Sequence, residues 1–82
     1  MKWLDRLKKK IRRMIFEHKI KRKIKNDVKE LGKYVVLSDI VKLENKYILL
    51  IYEQLKLEKE CLDKTAHDIQ KYIWHDIAKD IL

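Results

Sequence analysis

Residues 39–73 read DIVKLENKYILLIYEQLKLEKECLDKTAHDIQKYI, and within them Val41, Ile48, Leu55, Leu62 and Ile69 fall at successive seven-residue steps. Tyr52, Ala66 and Ile73 occupy part of the companion positions, so the pattern has the period of a helical, coiled-coil-like seam rather than the two-residue alternation of a strand. Lys59 and Asp76 interrupt the seam. Tyr47 to Tyr52 is apolar nearly all round, as in a helix enclosed by a bundle. The expected fold is therefore all-α: a small helical bundle or helical hairpin of two or three helices. The five seam residues are the expected self-association surface. Thr65-Ala66-His67-Asp68 fits the [ST]-x-x-[DE] capping box ahead of Ile69, Ile73 and Ile77. Residues 39–82 accordingly form either one long helix or two helices broken near residues 63–65.

Upstream of the seam the only Gly, Gly32, follows Leu31, and no Pro occurs. Gly at this place reads as the residue just past a helix C-terminus, where a left-handed backbone is cheap for it. A basic helix is expected over residues 2–31 and a connector over 34–38, with Ser38 or Asp39 capping the next helix. At 82 residues the whole chain, 1–82, is expected to be a single domain. A core of that size supports only a few kcal/mol, so a partner or a second copy is expected.

The 2–31 segment carries two apolar stripes. Trp3, Leu4, Leu7, Ile11, Met14 and Ile15 recur at three- and four-residue steps and end at His18, whereas Phe16, Ile20, Ile24, Val28 and Leu31 form a second series. At about 100° per residue the two lie well over a quarter-turn apart. The segment is thus read as one rod that meets two different surfaces.

Charge divides the chain at the same glycine. Residues 1–33 hold 14 Lys and Arg against four Asp and Glu, and residues 34–82 hold seven against nine, which together give the net +8. Ten of the cations lie in residues 7–25, LKKKIRRMIFEHKIKRKIK, beside a single carboxylate, Glu17. Asp5 with Lys9, and Glu17 with Arg13 and Lys21, can pair at i, i+4. Lys8 with Arg12, Lys19 with Lys23 and Lys21 with Lys25 repel at that spacing, by roughly 0.2–0.5 kcal/mol each. The surplus calls for an anion, and Lys8, Lys9, Arg12, Arg13, Lys19, Lys21, Arg22, Lys23 and Lys25 are the expected contacts.

Other chemistries find little purchase. One Gly rules out a glycine-rich phosphate loop, and Ser38, the only Ser, stands in no nucleophile motif. His67-Asp68-Ile69 recurs as His75-Asp76-Ile77, but Asp63 and His67 offer at most two ligands on one face, short of the three or four that a zinc site needs. No metal, cofactor, catalytic residue or small-molecule substrate is assigned. Cys61 is alone, which suits a reducing compartment. The opening residues carry charge from Lys2 and Asp5 onward, unlike a secretory signal, so a cytoplasmic location is expected.

The leading expectation is a non-enzymatic basic binding protein that contacts nucleic acid through phosphates with little sequence readout. One alternative is an inhibitor or adaptor seated on an acidic or nucleic-acid-binding surface of a larger protein. Another is a peripheral protein lying on a membrane surface through Trp3, Leu4, Leu7, Ile11, Met14 and Ile15.

Overall fold

The computed structural model describes residues 2–32 and 35–81. Among the described residues there are three helical rods and no strand. Helix α1 runs Lys2–Leu31, α2 Leu37–Gln54 and α3 Lys59–Tyr72; α3 continues through a π-helical turn, Ile73–Ile77, into a last helical turn, Ala78–Ile81. The all-α expectation holds, and the third rod makes it a three-helix arrangement.

Helix α1 is a single rod without a break, as its two stripes require. Its thirty residues span about 45 Å at a rise of 1.5 Å per residue. That length dominates the molecule's 51 Å long dimension, against 18 and 17 Å across. The rod ends where the sequence places its end: Gly32 takes φ +77° and donates its N–H to the Lys29 carbonyl at 3.3 Å. Tyr34, the first residue of the expected connector, lies outside the described residues, as does Leu82.

The start of α2 differs in detail from the expected cap. Val36 occupies the N-cap in extended backbone, and the Asp39 carboxylate reaches back to accept the Val36 N–H at 3.2 Å. Asp39 therefore caps from the third helical position, while Ser38 is an ordinary exposed residue of the first turn.

The larger departure is the break between α2 and α3. It falls at residues 55–58, not at 63–65. Leu55 leaves the helix with extended backbone while donating its N–H to the Ile51 carbonyl at 3.0 Å, and Glu58 is the N-cap of α3. Thr65, the expected cap, is instead fully buried in mid-helix, where its hydroxyl satisfies itself on the Cys61 carbonyl at 2.7 Å. No Gly or Pro marks the true break. Burial accounts for it: the fold-back lets α2 and the third rod pack on each other and on α1, and Ile51, Leu55, Ile69 and Ile73 are all enclosed. Glu58 and Glu60 at the new N-terminus also suit the positive end of the helix dipole.

The fold-back also corrects the seam. Leu55 and Ile69 are core residues of this chain, Ile48 and Leu62 pack half-buried against that core, and Val41 faces solvent. The five do not line one surface that a second copy could cover, because α2 and α3 run in opposite directions on either side of the turn. The core instead follows Ile40, Leu43, Tyr47, Ile51 and Leu55 on α2, and Ala66, Ile69, Ile73 and Ala78 on the third rod. From α1 it takes Ile20 and Ile24, with Phe16 and Val28 packed alongside.

The π-turn explains why Asp76 interrupts the pattern. Ala78 donates its N–H to the Ile73 carbonyl five residues back, and the wider turn brings Ile73 and Ala78 to the core while Asp76 points to solvent.

Core and surface positions should respond differently to truncation. Ile24→Ala or Ile69→Ala should cost about 2–5 kcal/mol in denaturant unfolding, whereas Ile11→Ala should change stability by less than about 0.5 kcal/mol. Comparable losses at Ile11 and Ile24 would place the N-terminal stripe in the core.

Candidate functional site on the first helix

Helix α1 touches the α2–α3 hairpin along one side through Phe16, Ile20, Ile24 and Val28. Polar pairs flank this apolar contact. Arg13 donates from Nε to Glu17 Oε1 at 3.3 Å, and its Nη2 also meets Asp68 of α3. Lys9 Nζ lies 2.7 Å from Glu58 Oε1, and Lys21 Nζ stands 5.2 Å from the centroid of the Tyr72 ring. Further along, Asp27 accepts hydrogen bonds from the Tyr47 hydroxyl and from Lys46 Nζ, the latter at 3.0 Å.

These contacts set the proton affinities. The Tyr47 hydroxyl, then Lys46, holds the Asp27 carboxyl below its ordinary value. Burial, then the hydrogen bond to Asp27, raises Tyr47 well above a free phenol. Burial raises Glu17, and the neighbouring Asp68 adds to the rise while Arg13 opposes it. The Glu58 carboxylate raises Lys9.

Of the nine expected anion contacts, three are thus turned towards the hairpin. Arg13 is matched by two carboxylates, Lys9 by one, and Lys21 lies over an aromatic ring. Lys8, Arg12, Lys19, Arg22, Lys23 and Lys25 are all exposed.

The first stripe stands clear of the hairpin. Trp3, Leu4, Leu7, Ile11, Met14 and Ile15 are all exposed, Trp3 at 62% and Met14 at 60%. At about 100° per residue this stripe is centred roughly 150° around the helix from Ile20 and Ile24. The same solvent-facing side continues past Ile15 as His18, Arg22, Lys25 and Lys29, all exposed. One face of one rod is therefore apolar over its first half and cationic over its second. Along one edge of the apolar half run Lys8, Arg12 and Lys19; the opposite edge offers Lys10.

Sequence reasoning found both stripes and six of the exposed cations, but did not count Lys10 or Lys29 among the anion contacts and did not register that the apolar stripe and the second-half cations share a face. The seven-residue steps Leu4, Ile11, His18, Lys25 and Ile15, Arg22, Lys29 carried that signal. It also missed a clasp on the hairpin, in which Gln70 Nε2 at 2.8 Å and Trp74 Nε1 both donate to Glu44. Nothing in the spacing announces that pairing across the turn.

The repeated His-Asp pairs separate in space by role. Asp68 serves Arg13, while His67, His75 and Asp76 are exposed. Among the described residues no group of three or more His, Cys, Asp or Glu converges as a metal site would. Nor is any helix among them long and apolar enough to cross a membrane. Cys61 is half-buried.

No protein-family model matches the chain, and neither the curated proteins nor the solved structures contain a match to it.

The Asp27 contacts predict a pH dependence. A carboxyl whose folded value is depressed adds stability that is complete above its unfolded value of about 4 and is lost as pH falls through the folded value. Asp27→Asn should therefore lower the thermal midpoint at pH 7 by about 4–8 °C for each kcal/mol lost, and should flatten the fall in stability below about pH 4. An unchanged acid limb in the variant would show that Asp27 does not contribute to it.

Proposed function

We propose that the protein is a non-enzymatic peripheral binder of anionic membrane surfaces, laid down through the first half of α1. The observation that carries this reading is the exposed row Trp3, Leu4, Leu7, Ile11, Met14 and Ile15, edged by Lys8, Arg12 and Lys19 and continued by Arg22, Lys25 and Lys29. An interfacial helix needs both halves of that pattern: side chains to sink below the headgroups and cations to meet the phosphates. Burial of apolar surface contributes roughly 25 cal/mol per Å², and each Lys or Arg held near an anionic surface adds about 1 kcal/mol. The near-neutral hairpin lies on the opposite side of α1, so it would stand away from the bilayer and meet no steric or electrostatic obstacle.

The solvent exposure of Lys8, Arg12, Lys19, Arg22, Lys23 and Lys25 also favours a second reading, contact with nucleic-acid phosphates. It ranks behind the first because phosphate contacts leave six large apolar side chains facing water. An acidic groove on a larger protein would face the same cations but needs apolar complementarity besides.

Trp3 reports the event once Trp74 is replaced by Phe. In that background Trp3 emission should shift to the blue with vesicles of phosphatidylcholine and phosphatidylglycerol, and the protein should sediment with them far more than with phosphatidylcholine alone. Leu7→Glu with Ile11→Glu should abolish sedimentation and leave the thermal midpoint in place. A wild-type chain that stays in the supernatant with anionic vesicles at low salt would contradict the reading. If instead duplex DNA or RNA is bound, with affinity falling steeply between about 50 and about 200 mM salt and untouched by the Leu7 and Ile11 changes, the second reading takes its place.

A further inference from the structure

Resting on the membrane reading, we propose that α1 carries a defined seat for one anionic phospholipid, with the lipid phosphate held between Arg12 and Lys19 and an acyl chain lying over Ile11, Ile15 and Phe16. Lys8, Ile11, Arg12, Ile15, Phe16 and Lys19 line an open groove of about 400 Å³ on the rod. Its chemistry is two-fold. The floor is apolar: Ile11 and Ile15 come from the exposed stripe, and Phe16 comes from the edge of the core. The rim carries three cations.

The spacing supports a single occupant rather than a diffuse cloud. Lys8 and Arg12 stand one turn apart, and Lys19 follows Arg12 after two turns. The turn between Arg12 and Lys19 on that edge is filled by Ile15 and Phe16 instead of a fourth cation. A phosphodiester can therefore bridge the guanidinium and the ammonium while the chain attached to it meets the hydrocarbon between them. Arg12 supplies a forked donor suited to two phosphate oxygens, and Lys19 a point charge. An anion there also relieves the repulsion of Lys8 and Arg12 at i, i+4.

The occupant is a lipid and not free phosphate because the floor offers nothing to a phosphate without a chain. Charge complementarity sets the sign of the headgroup. The other cations of the rod are poorer seats: around Arg22, Lys25 and Lys29 the exposed neighbours are His18, Lys19 and Asn26, none of which supplies an apolar floor.

Two charge-matched pairs separate a seat from general attraction. Arg12→Gln with Lys19→Gln removes the rim, and Arg22→Gln with Lys25→Gln removes the same charge beyond the groove. On phosphatidylglycerol vesicles the second pair should weaken binding by no more than about 30-fold, the loss of two cations at about 1 kcal/mol each, and the first by about tenfold more than that, because it also loses the forked phosphate contact. Equal losses would overturn the seat while leaving the membrane reading intact. A wild-type chain that binds neither anionic nor neutral vesicles would overturn the membrane reading itself.

A second measurement decides the groove without a bilayer. Short-chain phosphatidylglycerol, kept below its micelle concentration, should shift the amide resonances of Ile11, Ile15 and Phe16 in the folded wild-type protein, and glycerol phosphate should not. Absence of those shifts, or equal shifts with glycerol phosphate, would contradict a lipid seat. Circular dichroism of both double variants should match wild type, since all four side chains are exposed.

Discussion

Ile20 and Ile24, with essentially no exposed surface, are the two residues of α1 that the fold fully encloses, and the rest of the rod is arranged by them. Their burial against α2 and α3 fixes the rotation of the helix about its own axis. Once that angle is set, helical periodicity dictates what every other position meets. Arg13, Glu17 and Lys21 come to the flanks of the contact, where Asp68 and Tyr72 await them. Leu4, Leu7, Ile11 and Ile15 are carried to the far side. The exposed apolar stripe follows from the docking of two isoleucines.

Holding that stripe in water has a cost that the fold could have avoided by drawing the N-terminal half into the core. It does not, and geometry shows why. A hairpin of two helices covers one side of α1, so a stripe centred roughly 150° away stays in water even where the hairpin lies alongside, and α2, with 18 residues, is also shorter than the rod of 30. The first turns of α1 reach past the hairpin's folded end, where Lys9 and Glu58 make the outermost link between them. An unpartnered apolar face bordered by cations is expensive unless something meets it. An anionic, partly apolar interface meets both demands at once.

How far the sequence reveals this depends on the range of the forces involved. The helix over residues 2–31, its stop at Gly32 and its two stripes are local matters of periodicity and backbone freedom, and each is visible in the residues. The break at 55–58 is not, because Leu55-Lys56-Leu57-Glu58 contains no residue that opposes a helix. It accompanies the burial of Ile51 and Leu55 on α2 and of Ile69 and Ile73 on the third rod in one shared core, a gain that depends on tertiary contact and not on local sequence. Thr65 misled for the complementary reason: its hydroxyl can cap a helix, but it can equally bond back to the Cys61 carbonyl within one. The heptad steps were real as spacing, yet the turn divides them between two antiparallel helices, so Leu55 and Ile69 became core instead of an interface. At the candidate site the apolar stripe and six of the exposed cations were legible, whereas Lys29, on the same face, was not counted among the anion contacts. Which cations are matched internally was legible only for the i, i+4 pairing of Arg13 with Glu17, since Asp68 and Glu58 arrive through tertiary contact.

The central claim is that the apolar half of the solvent face of α1, and no other part of the molecule, enters an anionic bilayer. Spin labels at single cysteines, introduced at positions 7, 11, 15, 25 and 49 in a Cys61→Ser background, test it through their collision rates with oxygen and with a water-soluble nickel complex. On phosphatidylglycerol-containing vesicles the account predicts that labels at 7, 11 and 15 become accessible to oxygen and shielded from nickel. It predicts that the label at 25 sits at the headgroup level and that the label at 49, on α2, stays in water. Equal nickel accessibility at 11 and 49 with the protein bound would contradict it.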